Sequence, residues 1–378
     1  MVGFASIAMA DPPGWVITQL TNNDVNDLSP QISGSNVVWE GYVGSDWEIF
    51  FYNGSTTTQL TDNSYYDRQP QISGSNVVWE GYVGSDYEIF FYNGSTTTQL
   101  TDNSYYDRTP QISGSNVVWY GSDGSDYEIF FYYDSNTTRL TDNSYADYYP
   151  QISGSNVVWA GYIGGNDMEI LLYNGSTTTQ LTHNFDGDLS PQISGSNVVW
   201  EGYAGGIDRE IFFYNGSTTT QLTNNGYHDY GPQISGSNVV WYGYDGSDYE
   251  IFFYNGSTTT QLTNNSYSDW YPQISDSNVV WYGSDGSDNE IFFYDGSTTT
   301  QLTDNSYDDS SPQISGANVV WQGYDGQDYE IFMAVKCEQQ VGDINYDCGV
   351  NFEDFAYLAK NWLVDCIANP SDPACVPE

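Results

Sequence analysis

The stretch Pro70–Thr101 reads PQISGSNVVWEGYVGSDYEIFFYNGSTTTQLT and decides the fold. Turn-forming residues divide it into four strand-like segments: Pro70–Ser73 (strand a), Asn76–Tyr82 (strand b), Tyr87–Tyr92 (strand c) and Thr96–Thr101 (strand d). Val, Ile, Phe, Tyr, Trp and Thr dominate these segments, and they show no helical period. Asn93-Gly94, between strands c and d, is typical of a two-residue hairpin with a type I′ turn. The stretch therefore predicts a meander of four short antiparallel strands.

This unit occurs eight times along the chain. Pro-Gln-Ile-Ser begins at Pro30, Pro70, Pro110, Pro150, Pro191, Pro232, Pro272 and Pro312. The Trp of Val-Val-Trp follows nine residues later, at Trp39, Trp79, Trp119, Trp159, Trp200, Trp241, Trp281 and Trp321. Four strands in about 40 residues are typical of one β-propeller blade. Large side chains on both faces of strands b and c suit a blade that lies between two neighbours.

The two ends of the repeat region complement each other. The last unit, from Pro312 to about Val335, has strands a, b and c but no Thr-Gln-Leu-Thr. That segment stands near the start of the chain as Thr18–Thr21. A blade shared by both termini would close a ring and leave no free sheet edge. We therefore predict an all-β, eight-bladed propeller over residues 15–335, closed by the N-terminal strand, rather than an open array or solenoid.

The repeat resembles the TolB-type propeller repeats of secreted and cell-surface proteins. The resemblance rests on the short aromatic strand and on Asp-x-Glu-Ile-Phe, as in Asp86–Phe90, and it covers roughly residues 15–335. It implies a fold and says little about activity, because one fold supports many functions.

Composition excludes several classes of function. The chain of 378 residues has 50 acidic and 6 basic side chains, for a formal net charge of −44. A nucleic-acid-binding protein needs a basic surface that six Lys and Arg residues do not supply. Anionic surfaces are disfavoured unless a divalent cation bridges the like charges. No apolar run is long enough to span a membrane, while 17% aromatic residues suffice for a buried core.

The loops divide into a uniform face and a variable face. In a four-stranded meander the a–b and c–d turns emerge together, and here they are mostly Ser-Gly-Ser-Asn and Asn-Gly-Ser-Thr. The b–c and d–a loops emerge on the other face and vary from unit to unit. Their aromatic rings beside Asp and Asn are typical of sugar sites, although loops also drift without a ligand. The predicted ligand-binding residues are Tyr66, Arg68, Arg108, Tyr148, Tyr149, His228, Tyr230, Trp270 and Tyr271.

Two acidic positions recur in every unit. One precedes strand c and is followed two residues later by Glu: Asp46, Asp86, Asp126, Asp167, Asp208, Asp248, Asp288 and Asp328. The other stands three residues before the Pro: Asp27, Asp67, Asp107, Asp147, Asp188, Asp229, Asp269 and Asp309. A ring of Ca²⁺ or sugar sites is one interpretation. Because all eight units share both positions, we favour a structural role in which the Asp side chain caps backbone N–H groups in a turn.

Seven sequons are candidate glycosylation sites: Asn53, Asn93, Asn136, Asn174, Asn215, Asn255 and Asn264. Turn chemistry explains the Asn-Gly-Ser motif better, because Asp295-Gly296 keeps the turn and loses the sequon.

Both ends of the chain point to export. Residues 1–10 are apolar, and Ala8-Met9-Ala10 fits a signal-peptide cleavage site, which would place the mature start near Asp11. The four cysteines, all in a small C-terminal segment, predict two disulfides with open pairing: Cys337, Cys348, Cys366 and Cys375. A secreted or cell-surface destination is expected.

The segment from Asp343 to Asp354, DINYDCGVNFED, has the oxygen spacing of a Ca²⁺ loop. The predicted metal ligands are Asp343, Asn345, Asp347, the Gly349 carbonyl, Asn351 and Asp354. An amphipathic helix is predicted over Phe352–Leu363. An alternative is a disulfide-stapled cap or sorting tail without metal.

The tail resembles a dockerin-type calcium module, in particular the single-loop tails of secreted planctomycete proteins. The likeness covers about Val341–Asp365 within a module at 337–378, and Cys348 stands where such loops usually have Gly. It implies Ca²⁺ binding. Cohesin-binding dockerins carry two loops, so a cohesin-like or envelope protein is only one candidate partner.

No catalytic motif stands out in the sequence. It has no G-x-S-x-G, H-E-x-x-H or P-loop, and His183 and His228 lie in different units. We therefore expect a secreted, non-catalytic protein that binds a polysaccharide or surface glycan. The alternatives are a polysaccharide-degrading hydrolase or lyase, since carboxylate pairs abound, and a structural surface-layer or filament subunit.

Overall fold

The computed structural model describes residues 11–164, 167–337, 348, 350 and 354–356. Eight four-stranded antiparallel sheets follow one another along the chain, and each is one blade of a propeller. Seven blades run in sequence order. In the eighth, the N-terminal strand Trp15–Gln19 takes the outer place beside the strand Tyr329–Lys336. The prediction of an eight-bladed propeller closed by the N-terminal strand is confirmed.

The strands have nearly constant bounds from blade to blade. Strand a spans Asp27–Ser33, Asp67–Ser73, Asp107–Ser113, Asp147–Ser153, Asp188–Ser194, Asp229–Ser235, Asp269–Ser275 and Asp309–Ser315. Strand b spans Asn36–Val43, Asn76–Val83, Asn116–Ser122, Asn156–Tyr162, Asn197–Tyr203, Asn238–Tyr244, Asn278–Ser284 and Asn318–Tyr324. Strand c spans Asp46–Tyr52, Asp86–Tyr92, Tyr127–Tyr133, Met168–Tyr173, Arg209–Tyr214, Tyr249–Tyr254, Asn289–Tyr294 and Tyr329–Lys336. Strand d spans Thr57–Gln59, Thr97–Gln99, Asn136–Arg139, Thr178–Gln180, Thr219–Gln221, Thr259–Gln261 and Thr299–Gln301, with Trp15–Gln19 in blade 8.

Two strand predictions need correction at their ends. Strand a begins three residues before the Pro, at the recurring Asp, because that residue still pairs with strand b, as Asp67 does with Gly81. Strand d is shorter than predicted. In blade 2 it contains only the three residues Thr97–Gln99, which pair with strand c and are all exposed.

The core lies between blades. Val38, Ile49 and Phe51 of blade 1 pack against Val77 and Trp79 of blade 2. The same arrangement repeats around the ring, and its last joint brings Val320 and Ile331 of blade 8 against Trp39. Burying a Val, Ile or Phe side chain contributes about 1.5–3 kcal/mol, so these layers supply most of the driving force for closure.

The uniform face is a latch between neighbouring blades. The Ser33 hydroxyl accepts a 2.9 Å hydrogen bond from the N–H of Gly74, and the Asn36 amide donates to the Gly74 carbonyl over 2.8 Å. Each blade repeats this pair toward the next. Blade 8 closes the ring through Ser315 and Asn318, which bond the two backbone groups of Gly34. The monotony of Ser-Gly-Ser-Asn therefore reflects a joint that every blade makes twice.

The c–d turn differs from the predicted two-residue type I′ hairpin. In blade 1, Tyr52 pairs with Thr57, so the connection has four residues. The Asn53 side chain accepts hydrogen bonds from the N–H groups of Ser55 (3.0 Å) and Thr56 (2.9 Å). Only Gly54 of that turn has positive φ, at 87°. Blade 3 alone follows the predicted geometry, because Asp134 and Ser135 both have positive φ and Tyr133 pairs with Asn136.

A second compact unit combines residues 1–18 with 334–378. Within it the Cys337 N–H donates to the Gly14 carbonyl over 2.9 Å. Cys337 and Cys348 form a disulfide, one of the three predicted alternatives for Cys337. Among the described residues, no helix is long and apolar enough to cross a membrane.

Candidate functional site

The two kinds of variable loop lie on one face, as predicted. Residues at the end of strand b donate their N–H groups to the preceding d–a loop, for example Tyr42 to the Asn26 carbonyl (2.9 Å) and Tyr82 to the Tyr66 carbonyl (2.9 Å). We call this surface, built from the b–c and d–a loops, the loop face.

A β-bulge in strand a builds the inner edge of the loop face. The first strands of neighbouring blades contact one another around the ring, so strand a is the innermost strand. Its third residue sits in the bulge with φ between 48° and 56°, a conformation that costs a non-glycine residue roughly 1–2 kcal/mol. Only blade 6 uses glycine there. We call these positions the rim residues: Ser29, Gln69, Thr109, Tyr149, Ser190, Gly231, Tyr271 and Ser311.

The predicted residues of blades 2 and 3 form an arginine group with internal partners. The guanidinium of Arg68 lies 5.0 Å from the Trp47 ring and 5.6 Å from the Tyr66 ring. Arg108 pairs with the buried Glu80 over 2.9 Å and lies 4.4 Å from a tyrosine ring of blade 2, that of Tyr87. The hydrogen bond to Glu80 raises the pKa of Arg108. These arginines therefore hold neighbouring blades together, and only Tyr66 remains well exposed.

Tyr148 and Tyr149 form a second group. Tyr148 packs 5.4 Å from the rings of both Tyr120 and Tyr127, and burial raises its pKa. The rim residue Tyr149 lies 5.9 Å from Tyr148 and is 52% exposed. One ring is thus fixed by its neighbours, while the other is presented to solvent.

The remaining predicted residues meet in a continuous aromatic platform on blades 6 and 7. Trp270 lies 4.4 Å from Tyr249 and 5.5 Å from Tyr242. The rim residue Tyr271 lies 5.3 Å from Tyr242 and is 55% exposed. His228 and Tyr230 extend the platform by stacking at 5.4 Å. Tyr242, Tyr249 and Tyr282 were not predicted. Tyr242 and Tyr282 follow the strand b Trp, and their only signal was that blades 1, 2 and 5 carry Glu at this position. Tyr249 gave no signal, because Tyr87, Tyr127 and Tyr329 occupy the same strand c position in other blades.

A charged pair borders the platform. Arg209 bonds Glu201 over 3.1 Å and lies 5.6 Å from the Tyr230 ring. Its backbone N–H donates to His228 Nδ1 over 3.0 Å, which fixes the imidazole. The platform therefore combines aromatic ring faces, which bind the C–H faces of sugars, with a carboxylate and a guanidinium, which bind sugar hydroxyls.

A pocket with a mixed polar and apolar lining lies between blades 4 and 5 on the loop face. Its volume is about 450 Å³, within the range of ligand sites. Phe185 and Ile207 are 98% and 87% exposed on the same loops. None of its lining residues is among the predicted ligand-binding residues, although Asp167 belongs to the recurring aspartates; the lining is formed by Tyr162, Asp167, Met168, Phe185, Asp186, Gly187, Leu189, Tyr203 and Gly206. The sequence signal for this pocket was the longer repeat, because the spacing between successive Trp residues rises from 40 to 41 at Trp159–Trp200 and Trp200–Trp241.

The ring of aspartates at the start of strand a is structural. Asp27 is buried and accepts a 2.8 Å hydrogen bond from the Trp39 indole N–H and a 2.7 Å bond from the Asn23 amide. All eight blades share both contacts. The carboxylate therefore binds two side chains and not the backbone N–H groups of the predicted cap. Gly41 is required beside it, because a Cβ there would lie 2.5 Å from Asp27 Oδ1.

The glutamate two residues after the other recurring aspartate joins successive blades. Glu88 is buried, and its Oε1 accepts a 2.9 Å hydrogen bond from the N–H of Asn103 in the next d–a loop. Burial raises the pKa of this carboxyl. In blade 7 the same effect raises the pKa of Glu290 to about 8.

The predicted glycosylation residues all lie exposed on or beside strand d and its turns. The side-chain oxygens of Asn53, Asn93, Asn174, Asn215 and Asn255 accept backbone N–H groups of their own turns. Asp295 does the same, which supports the turn as the main reason for the motif.

Only part of the C-terminal module is described. Asp354 is buried, and residues 354–356 are helical, inside the predicted helix. The other predicted metal ligands, Asp343, Asn345, Asp347, Gly349 and Asn351, lie outside the described residues, as do Cys366, Cys375 and the predicted signal remnant.

Comparison with known proteins supports the fold. No protein-family model and no curated protein matches the sequence. The β-propeller domain of the Trilobed protease from Pyrococcus furiosus, described as having an open velcro topology, is 12% identical with a TM-score of 0.55, covering 75% of this chain and 99% of that one. The computationally designed Ika8 protein is 16% identical with a TM-score of 0.57, covering 83% and 98%. Pyrococcus horikoshii acylaminoacyl peptidase is 10% identical with a TM-score of 0.53, and the match covers 79% of this chain but only 57% of the peptidase. At these identities the likeness establishes the propeller alone.

Proposed function

We propose that the protein is a non-catalytic glycan-binding protein whose loop face holds a polysaccharide chain. The observation that carries this is the aromatic platform of blades 6 and 7, with Tyr271 presented to solvent beside Trp270 and Tyr242. Extended aromatic surfaces with polar groups at their edge suit sugar rings, which offer C–H faces and peripheral hydroxyls.

The platform and the pocket between blades 4 and 5 are linked through Arg209. Its Nε lies 3.3 Å from the hydroxyl of Tyr203, a pocket residue, and its guanidinium lies over Tyr230 at the edge of the platform. A binding surface that extends over several blades favours a chain of sugars over a single small molecule. The charge of −44 favours a neutral polysaccharide, because an anionic one would be repelled.

The C-terminal module is proposed to bind Ca²⁺ and to attach the propeller to a cohesin-like or envelope protein. The buried Asp354 and the oxygen spacing from Asp343 support the metal, and the Cys337–Cys348 disulfide supports an extracellular location.

The test is a glycan-array and insoluble-polysaccharide binding screen with the full chain. In the variant Trp270→Leu/Tyr271→Ser, blade 7 carries the Leu-Ser pair that blades 1 and 5 already have at Leu28-Ser29 and Leu189-Ser190. We expect binding to fall at least tenfold, since stacking contacts are worth ~1 kcal/mol each beyond area burial. The control Ser310→Leu makes the same motif in blade 8 without removing an aromatic ring and should bind normally. Unchanged binding by the blade 7 variant would exclude the platform, and no binding to any glycan would refute the function.

A further inference from the structure

The pocket between blades 4 and 5 exists because the d–a loop that leads into blade 5 lacks a tyrosine. Two residues after the Asn that opens this loop, six other blades carry one, at Tyr65, Tyr105, Tyr145, Tyr227, Tyr267 and Tyr307. In blade 6, Tyr227 packs 5.2 Å from the ring of Tyr244, which ends strand b. Blade 5 has Asp186 at this position, followed by Gly187, where an added Cβ would meet nothing within 4 Å. The strand b residue Tyr203 therefore becomes a wall of the pocket.

One side of the pocket is apolar. Met168 is buried at the start of strand c of blade 4, where blades 2, 3, 6 and 8 have Tyr, and Leu189 packs against the same cluster. At the edge of the pocket, Phe185 is almost fully exposed. Ile207, which follows the lining residue Gly206, is exposed to a similar degree. Exposed apolar side chains beside a pocket favour binding as their role, because packing within the chain does not use them.

The other side of the pocket offers hydrogen-bond acceptors. Asp167 and Asp186 bring two carboxylates to the lining. An ionised carboxylate accepts hydrogen bonds and donates none. A ligand that fits must therefore present O–H or N–H groups, and a negatively charged ligand would be repelled.

The two sides together discriminate among the substituents of sugars. A plain sugar ring has hydroxyls for the carboxylates but no methyl group for the apolar side. An O-acetyl ester has a methyl group but no hydrogen-bond donor. An acetamido group has both, because its methyl group suits Met168 and Leu189 while its N–H suits Asp167 or Asp186. It is also uncharged, as a chain of net charge −44 favours.

We propose that the pocket between blades 4 and 5 binds an acetamido sugar, one unit of a longer glycan. This rests on the glycan-binding function proposed above and names the kind of sugar that the loop face selects. Arg209 connects the pocket to the aromatic platform, because it bonds the Tyr203 hydroxyl and its guanidinium lies 5.6 Å from the Tyr230 ring. The platform contacts sugar rings through their C–H faces, whereas the pocket recognises the acetamido group.

The test compares two neutral β-1,4-linked hexasaccharides, chitohexaose and cellohexaose, which differ in carrying an acetamido or a hydroxyl group at the second carbon of each ring. In isothermal titration calorimetry, the full chain should bind chitohexaose at least about tenfold more tightly, the combined effect of a buried methyl group and an added hydrogen bond. Asp186→Tyr introduces the tyrosine of the six other blades, fills the pocket and should make the two affinities equal. The matched control Val25→Tyr makes the same change in blade 1 and should keep the preference.

A second variant makes the result independent of how one substitution folds. Met168→Tyr, the residue of blades 2, 3, 6 and 8, fills the pocket from the other side and should also remove the preference. Near-UV circular dichroism confirms that each variant is folded before it is titrated.

The outcomes separate this inference from the proposed function. Trp270→Leu/Tyr271→Ser should weaken the binding of both hexasaccharides and keep the preference for chitohexaose. Equal affinity of the wild-type chain for the two hexasaccharides, or binding of neither, would overturn the acetamido inference, as would a preference that persists in folded Asp186→Tyr. The glycan-binding function fails only when the array screen finds no glycan that binds.

Discussion

We expect the propeller to be more stable at pH 5 than at pH 8, the reverse of ordinary acid denaturation. The cause is the ring of buried aspartates that hold the tryptophan indoles. Burial raises the pKa of six of them to about 6: Asp67, Asp107, Asp147, Asp188, Asp229 and Asp309. Burial also raises the pKa of their glutamate neighbours, to about 7 for Glu250 and Glu330.

The direction follows from proton linkage. An unfolded Asp titrates near 3.8, so between pH 4 and pH 6 the folded state retains protons that the unfolded chain has lost. This stabilising contribution is complete below about pH 4 and disappears as the pH rises through 6 for the aspartates and through 7 to 8 for the glutamates.

The magnitude is large for a single kind of residue. A shift from 3.8 to about 6 corresponds to about 3 kcal/mol for one carboxyl. The eight sites do not add fully, because the total stability of a domain is only about 5–15 kcal/mol. If as few as two carboxyls behave independently, the free energy of unfolding falls by about 2 kcal/mol between pH 5 and pH 6.

Urea unfolding followed by tryptophan fluorescence at pH 5, 6, 7 and 8 with EDTA measures this directly. Repeating the series in 1 M NaCl, where the Debye length is about 3 Å, removes most repulsion between surface carboxylates. Asp67→Asn keeps an acceptor for Trp79 but cannot titrate, so its pH slope should be shallower than that of wild type. A urea midpoint that is constant or rises from pH 5 to pH 8 would refute the reasoning.

Three further predictions test the packing. Gly121→Ala places a Cβ 2.0 Å from Asp107 Oδ1 and should lower the free energy of unfolding, measured in urea, by more than about 3 kcal/mol. A loss below about 1 kcal/mol would mean that the aspartate is free to move. Ser235→Ala removes the 2.9 Å acceptor of the Asp276 N–H in the latch and should cost about 1 kcal/mol in the same assay; no change would show that water replaces the hydroxyl. Ser135→Gly removes the strain of a non-glycine residue at φ 64° and should stabilise the protein by about 0.5–1 kcal/mol. The variant should therefore have a higher melting temperature, and a lower melting temperature would contradict the strain argument.

The blade count and the closure were predictable because the repeat is nearly exact and its missing strand stands at the other end of the chain. Periodicity fixes how many units exist, and Thr18–Thr21 shows how the last unit is completed. The position of strand ends was less predictable. Asp67 looks like a loop residue in sequence, and only its pairing with Gly81 places it in strand a.

The candidate site was predicted in part, for a physical reason. Residues such as Trp270 and Tyr271 differ between repeats and therefore attracted attention. Their partners Tyr242 and Tyr249 stand in strands that look uniform, and only cross-strand register brings the four rings together. The role of the Asp27 ring was also hidden, because its donor, Trp39, lies twelve residues away in sequence.

The latch between neighbouring blades is the same at every joint, so it does not depend on how many blades the ring has or on their variable loop residues. Each blade carries both halves of the joint. In blade 1, the side chains of Ser33 and Asn36 bond the backbone of the next blade, and the backbone of Gly34 accepts and donates the same two bonds with the preceding blade. Both bonds use only the backbone of the receiving residue, which is why Asp276 serves as well as glycine. A repeat inserted or removed between two others would find the same donors and acceptors on either side. Growth of such a ring by tandem duplication therefore needs no new interface at any step, only a change in the angle that each blade subtends.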